Sequence, residues 1–249
     1  MKNRVHSISI INSITFTFGK YLVFLFLICV THCISLFPYK GTGYVSVLDF
    51  EGKKIAEFPK DSKWIGFDES KYFPLSELNK FPNLESLEIR SPKFTDLNDL
   101  SMFSKLRYLN LDGTSIIHTD FLKNLPNLGT LVLNNTNVQT ISIPVSNNTI
   151  SKLYLYKTKI QSLKFLKYFT ELRHLDLRKT EISDLSEISN CKKLMDLQIG
   201  DTKIKNLHFV STLKDLLYID IDGLEISKEE LEKLRITNPY LKIVKRKYY

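Results

Sequence analysis

The sequence carries an apolar pattern, L-x-x-L-x-L-x-x-T-x-I, that returns every 22 residues from Leu84 onward without an insertion or deletion. Weaker matches fit one step before the first clear copy and one step after the last. A single copy cannot bury its apolar residues alone, so the copies must stack on one another. This requirement restricts the chain to a solenoid. The copies begin at Leu84, Leu106, Leu128, Ile150, Leu172, Leu194 and, less completely, Leu216.

Each copy is divided into two halves with different spacing. The L-x-L segment alternates with period two, which predicts a short strand with one face inward and one outward. Apolar residues in the second half recur at three-residue steps, which favours a short helix or 3₁₀ turn. The copy over residues 128–149 is β-branched and interrupted by Pro144, so we expect an extended segment in its second half. The predicted strands cover residues 86–89, 108–111, 130–133, 152–155, 174–177, 196–199 and 218–221.

The pattern resembles the leucine-rich repeat family, whose repeats span about 20 to 29 residues. The resemblance covers residues 84–215 in six consecutive copies that share one phase. It implies an α/β fold: a curved right-handed horseshoe with a parallel β-sheet on the concave face and short helical or 3₁₀ turns on the convex face.

One threonine recurs at the ninth position of the repeat, where many leucine-rich repeats carry asparagine. Backbone groups of neighbouring coils lose their ladder partners where the chain turns off the strand, and a buried hydroxyl can satisfy them. We interpret the column as a structural ladder, since a catalytic nucleophile would not need stacked copies. Its members are Thr114, Thr136, Thr158, Thr180 and Thr202.

The two ends of the repeat array differ in composition from the copies. Residues 41–61 read as an N-terminal β-hairpin cap, and residues 62–226 hold the repeats. Residues 227–249 read as a C-terminal cap, in which Ser227 and Glu230 form a capping-box pattern before a helix, followed by a strand. Residues 1–40 are set apart as an export signal or an N-terminal membrane anchor.

The export segment contains residues 21–37, which lack any formal charge and follow Lys20. Besides a misjudged start, three interpretations stay open: a cleaved secretory signal, a retained anchor that would attach the chain to a membrane through these residues, and a lipoprotein signal with Cys33 as the lipid acceptor. The lipoprotein pattern requires a small residue before the cysteine, and His32 is not small. Each interpretation predicts a protein of the cell envelope or one that is secreted.

Cysteine usage and charge narrow the class further. Cys29 and Cys33 lie in the export segment, so Cys191 is the single thiol of the body and no disulfide is expected there. Threonine-type repeats with an export segment and no disulfides resemble bacterial envelope or secreted proteins, similar in layout to internalin-type repeats.

The net charge is +8, of which residues 1–40 carry four cations and no acid. This mild excess of positive charge is not accompanied by a nucleic-acid-binding motif, so we do not expect nucleic acid as a partner.

No catalytic or cofactor motif is found. The sequence lacks phosphate-binding glycine loops, H-E-x-x-H and C-x-x-C, which predicts a protein that is not an enzyme and needs no cofactor or metal. The resemblance implies a scaffold that binds a protein partner on its concave face. An intracellular regulatory subunit, similar in layout to leucine-rich repeat phosphatase regulators, is the alternative if residues 21–37 do not direct export.

The concave face holds the candidate partner-binding residues, because side chains between the strand leucines point outward. Solvent-facing tyrosines on a rigid sheet provide a large contact area with little loss of entropy. The alternative is that Tyr154 and Tyr156 are merely strand-favouring residues. Lysines line one edge after the strands, at Lys157, Lys159, Lys179 and Lys203. The predicted patch comprises Tyr108, Tyr154, Tyr156, His174, Asp176, Arg178, Tyr218 and Asp220.

Overall fold

The computed structural model describes residues 43–95, 97–143 and 149–245. The export segment and Cys33 lie outside these residues. The described strands form an antiparallel hairpin of β1 (Tyr44–Leu48) and β2 (Lys54–Pro59), followed by a parallel sheet in which spatial order follows chain order throughout. The parallel strands are β3 (Trp64–Phe67), β4 (Ser86–Ile89), β5 (Tyr108–Asn110), β6 (Thr130–Val132), β7 (Lys152–Tyr154), β8 (His174–Asp176), β9 (Asp196–Gln198), β10 (Tyr218–Asp220) and β11 (Lys242–Val244).

The register of the sheet reproduces the 22-residue frame. Leu109 pairs with Leu131, and Leu131 pairs with Leu153. Six of the seven predicted strands nevertheless end one residue early. At Asn110 and Asp176 the side-chain oxygen Oδ1 accepts the backbone N–H two residues on, at 3.0 Å in both cases. This local turn takes the backbone out of the strand conformation.

Short 3₁₀ turns occupy the second half of most coils, as their three-residue spacing predicts. In each, the backbone N–H of the residue that follows the turn donates to the carbonyl three residues back. The copy over residues 128–149 has no such turn within its described part, and residues 144–148 of the predicted extended segment lie outside the described ranges. The turns are Leu75–Lys80, Asn98–Met102, Asp120–Asn124, Lys164–Tyr168, Ser186–Asn190 and His208–Thr212.

The core is a continuous column of leucines and isoleucines between the sheet and the turns. Leu109, Leu155 and Leu177 are fully buried, and so is Cys191 from a turn position. Burying one such side chain contributes roughly 1.5–3 kcal/mol relative to leaving it exposed. Because every coil supplies residues to the same column, each coil is stabilised by its two neighbours.

The threonine ladder works within a coil, which differs from our expectation that it would serve neighbouring coils. Each hydroxyl donates to the carbonyl three residues earlier in its own coil, at 2.6 to 2.8 Å; in Thr158 the acceptor is Leu155. The threonine N–H of Thr158 donates to the same carbonyl at 3.2 Å. The hydroxyl therefore closes the turn that follows the strand within its own coil.

Both ends of the sheet are packed against additional elements. At the N-terminal end, Glu77 accepts the N–H of Leu48 at 2.8 Å and Lys80 donates to the carbonyl of Ser46 at 3.1 Å, which holds the hairpin against the first 3₁₀ turn. At the C-terminal end, helix α1 (Lys228–Thr237) precedes β11. Among the described helices, none has the length and apolar character needed to cross a membrane.

The capping box predicted at the start of α1 is half formed. Ser227 accepts the N–H of Glu230 on its hydroxyl at 3.1 Å, as an N-cap residue does. The Glu230 carboxylate does not turn back to Ser227 but accepts the N–H of Leu207 in the preceding coil at 2.6 Å. Glu230 thus ties the helix to the repeat array.

Candidate functional site

The sheet register brings most of the predicted patch together on adjacent strands. Tyr154 of β7 lies opposite Asp176 of β8, and His174 of β8 lies opposite Asp196 of β9. Tyr156 and Arg178 follow the same two strands. Tyr108 stands two strands away on β5, and Tyr218 and Asp220 stand two strands away on β10. The patch therefore extends over six strands, and its centre is at β7 and β8.

Arg178 is held in place by carboxylates. Its Nε donates to Asp176 Oδ1 at 3.0 Å and its Nη2 donates to Oδ2 at 2.7 Å, while Asp220 Oδ2 lies 3.8 Å from Nη1. Asp176 and Asp220 are almost entirely buried. They were predicted as partner contacts, but they offer little surface to a partner; their geometry orients the guanidinium of Arg178, whose side chain keeps 35% of its surface exposed.

Tyr156 lies near two cations. The guanidinium carbon of Arg178 and the ammonium nitrogen of Lys179 each stand 5.6 Å from the centre of its ring. Both distances lie within the range of cation–π attraction, which favours positive charge near an aromatic face. Tyr156 is half-buried and keeps part of its ring accessible. The residue thus combines an apolar contact surface with a cationic border.

The two other central tyrosines have phenols that resist ionisation. Burial, followed by the charge of Glu88, raises the pKa of Tyr108 to about 12. Burial also raises the pKa of Tyr154, and the carboxylates of Asp196 and Asp176 add to the shift. Both phenols therefore remain neutral hydrogen-bonding groups at physiological pH.

His174 and Asp196 form the remaining polar contact of the patch. His174 Nδ1 lies 3.5 Å from Asp196 Oδ2. Burial raises the pKa of Asp196, with the opposing effects of Gln198 and His174 not large enough to cancel it. Both side chains of the pair are partly exposed.

Trp64 belongs to the same face and was missed in the sequence analysis. It pairs with Ser86 in the sheet register and so occupies the same column as Tyr108. Its ring lies over Gly66, where an added Cβ would meet the ring at 2.8 Å. The 22-residue frame extended one step back from Ser86 would have identified it.

In six consecutive coils, the third residue after the strand has a left-handed backbone. In successive coils this residue is Gly113, Asn135, Lys157, Lys179, Asp201 and Gly223, with φ between 54° and 77°. In the first five of these residues the N–H donates to a carbonyl of the next coil, as Lys157 does to Arg178 at 2.9 Å. The conformation directs this N–H toward the neighbouring coil.

Metal and pocket chemistry are not evident on this face. The described residues contain no cluster of three or more His, Cys, Asp or Glu side chains that could hold a metal ion. A groove of about 570 Å³ opens instead beside helix α1, lined in part by His208, Lys214 and Lys233. That groove lies away from the strand face and shares no residue with the predicted patch.

Solved structures of bacterial repeat proteins resemble this one. Internalin C2 from Listeria monocytogenes superposes with a TM-score of 0.66 at 21% identity, over 74% of this chain and 80% of that chain. A second internalin of the same bacterium gives a TM-score of 0.54 at 20% identity, over 70% of this chain. A leucine-rich repeat protein of Leptospira interrogans gives 0.54 at 22% identity, also over 70%. The fold is a leucine-rich repeat solenoid.

The likeness is one of fold, because all three identities are low. The chain spans 59% of the second internalin and 52% of the Leptospira protein. No protein-family model matches the sequence, and no curated protein matches it. The α/β leucine-rich repeat fold predicted from the 22-residue frame is confirmed.

Proposed function

We propose that this leucine-rich repeat solenoid is a non-enzymatic scaffold that binds a protein partner through the concave patch of Tyr108, Tyr154, Tyr156, His174 and Arg178. The observation that carries the proposal is the ordered state of Arg178. Two hydrogen bonds that Arg178 donates to the Asp176 carboxylate fix the guanidinium at the centre of the patch before any partner arrives. A preorganised arginine beside tyrosines is the composition that binding hot spots favour.

The rigid sheet supports the same proposal. Tyr108, Tyr154 and Tyr218 stand on strands that are hydrogen-bonded to a neighbour on each side, so little freedom is lost when a partner covers them. Tyr218 adds a further aromatic ring toward the C-terminal end, with Lys242 Nζ 5.8 Å from its centre. Asp176 and Asp220 contribute by orienting Arg178.

The proposed location is the cell envelope or the extracellular space. Its support is the apolar segment at residues 21–37 together with the layout shared with internalins. In the same proposal, residues 1–40 serve as export signal or anchor, residues 41–61 and 227–249 as caps, and residues 62–226 as the binding array.

A binding experiment with matched tyrosine variants tests the face. A partner is captured with the immobilised protein, and its affinity is measured by surface plasmon resonance for Tyr108→Ala/Tyr154→Ala and for the control Tyr44→Ala/Tyr240→Ala. The control tyrosines are 63% and 90% exposed and lie outside the patch. We expect the patch variant to lose at least about 2 kcal/mol of binding free energy and the control to lose little. Equal affinities for the two variants would show that the partner uses another face.

A further inference from the structure

Two lysines occupy a backbone conformation that their side chains disfavour. Lys157 and Lys179 both have φ of 55°. At the same position of other coils stand Gly113, Asn135 and Gly223, residue types that adopt left-handed φ readily. A side chain with a long aliphatic stem has no local hydrogen bond to offset the steric cost.

The fold itself does not require lysine at these positions. The backbone N–H of Lys157 donates to the carbonyl of Arg178 at 2.9 Å, and that of Lys179 donates to the carbonyl of Gly200 at 3.0 Å. Gly113 and Asn135 make the same bond, to Asn134 and Tyr156, at 3.0 and 2.8 Å. Asparagine would therefore serve the coil contact at lower steric cost, and the two lysine side chains call for an explanation outside the fold.

What these side chains add is positive charge beside an aromatic ring. Lys179 Nζ stands 5.6 Å from the Tyr156 ring centre. Lys157 and Lys159, which follow β7 in the same coil as Tyr156, are exposed. The Asp176 carboxylate on this face already accepts a hydrogen bond from the Arg178 guanidinium.

The acids on this edge do not balance the cations. Lys203 pairs with Glu181, and Asp201 is one coil beyond Lys179. Glu225 follows Lys203 one coil later, so the lysine edge, Lys157, Lys159, Lys179 and Lys203, exceeds these three acids by one charge.

We propose that Lys157, Lys179 and Tyr156 form a subsite for an acidic segment of the protein partner. The inference rests on the proposed function and adds the chemistry of what is bound: carboxylate side chains meet the two ammonium groups, while the stem of an adjacent residue covers the exposed part of the Tyr156 ring. Charge complementarity of this kind sets the orientation of the partner and speeds its association.

The test uses asparagine, which keeps the left-handed backbone and removes the charge. Binding of a fluorescent polyglutamate peptide to the full chain is measured by anisotropy at low ionic strength, with a polyglutamine peptide for comparison. We expect Lys157→Asn/Lys179→Asn to weaken polyglutamate binding at least about tenfold, whereas Lys157→Arg/Lys179→Arg retains it. The matched control is Lys123→Asn/Lys164→Asn, two exposed lysines on the convex 3₁₀ turns, which should bind as the parent does. Melting temperatures of the asparagine variant should equal or exceed the parent's, which separates loss of charge from loss of fold.

Several results would overturn the subsite. One is polyglutamate binding that is absent in the parent or unchanged in Lys157→Asn/Lys179→Asn. Another is lysine-dependent binding of heparin without binding of polyglutamate, which would assign the edge to sulfated polysaccharide.

The captured partner separates the two proposals. If Tyr108→Ala/Tyr154→Ala releases it and Lys157→Asn/Lys179→Asn does not, the concave patch stands and the subsite fails. If neither tyrosine is needed but the lysines are, the concave patch fails and the subsite stands.

Discussion

At the residue scale, the threonine of each coil acts as a local lock on the turn. Its hydroxyl is buried yet satisfied within three residues, so no contact with another coil is needed to justify it. This explains why threonine can stand where an amide is common in related repeats. A hydroxyl has fewer hydrogen-bonding groups than an amide, and here one donor suffices.

Thr158→Val should lower the free energy of unfolding by about 0.5–1.5 kcal/mol. Valine keeps the β-branched shape but cannot donate to the Leu155 carbonyl, now 2.8 Å from the hydroxyl. The expected loss lies at the lower end of this range because the Leu155 carbonyl still accepts the backbone N–H of Thr158 at 3.2 Å. Urea denaturation measures the change, and Thr158→Ser, which retains the hydroxyl, is the control for the hydrogen bond. A valine variant as stable as the parent would show that the hydroxyl bond has no net value.

Two glycines of the left-handed column should differ in their tolerance of alanine. Gly113 has φ of 77°, and an added Cβ would meet the Arg90 carbonyl at an ordinary 3.5 Å. Gly223 has φ of 75°, but its Cβ would come 2.1 Å from Asp201 Oδ1. We expect Gly113→Ala to cost about 1–2 kcal/mol for the backbone alone and Gly223→Ala to cost more.

A double variant isolates the cause of that difference. Asp201→Asn leaves a side chain of the same size, whereas Asp201→Gly removes the clashing atoms. In the Asp201→Gly background alone, the stability lost through Gly223→Ala should fall to about the loss caused by Gly113→Ala. Thermal denaturation of the parent, Gly223→Ala, Asp201→Gly and Gly223→Ala/Asp201→Gly gives the double-mutant cycle. Equal costs for Gly113→Ala and Gly223→Ala in the parent background would mean that Asp201 moves aside freely.

At the element scale, helix α1 depends on a contact that no local pattern encodes. Ser227 caps the helix, but Glu230 reaches the N–H of Leu207 in the preceding coil. His208 Nε2 also lies 3.8 Å from the same carboxylate oxygen. The helix is therefore attached to the array by one acceptor as well as by the buried Leu234.

Glu230→Ala should destabilise the protein by about 1–3 kcal/mol, because the Leu207 N–H loses its acceptor at a partly buried site. Glu229→Ala is the matched control, since Glu229 stands one residue earlier in the same helix and is exposed. Hydrogen exchange followed by mass spectrometry should show faster exchange over residues 205–210 in the Glu230 variant. Unchanged exchange there would indicate that α1 is held by its apolar contacts alone.

The elements differ in how far the sequence predicts them. Strand positions follow from the leucine phase, since apolar residues at fixed spacing must share one core. The strand ends do not, because the turn depends on side chains such as Asn110 accepting a local N–H. The left-handed column was hidden by Lys157 and Lys179, whose residue type gives no signal for that conformation. In the candidate site, the columns predicted which tyrosines share a face, but they did not predict that Asp176 and Asp220 are buried beside Arg178.

At the scale of the whole molecule, the coils share one core and one sheet. Each strand from β4 to β10 is hydrogen-bonded to the strands of the coils before and after it, and the leucine column is continuous. Stability in such an array is approximately a sum of coil terms and interface terms between neighbours. A coil with weak intrinsic stability and strong interfaces cannot open without its neighbours, so the array should unfold as a unit.

Cys191 offers a direct test of that cooperativity, since burial raises the pKa of its thiol to about 12 and no surface of it is exposed. Alkylation at mildly alkaline pH must therefore wait for the coil to open. Leu109→Ala, three coils away from Cys191, should cost about 2–5 kcal/mol through the cavity left at a fully buried position. If the array opens as a unit, this substitution accelerates labelling of Cys191 by at least about tenfold, because about 1.4 kcal/mol changes an opening equilibrium tenfold. Mass spectrometry of the peptide that contains Cys191 excludes signal from Cys29 and Cys33, and Leu197→Ala in the adjoining coil serves as the positive control. Labelling that accelerates with Leu197→Ala but not with Leu109→Ala would show that the coils open independently, and the rigid sheet on which the proposed binding face depends would then be divided into shorter units.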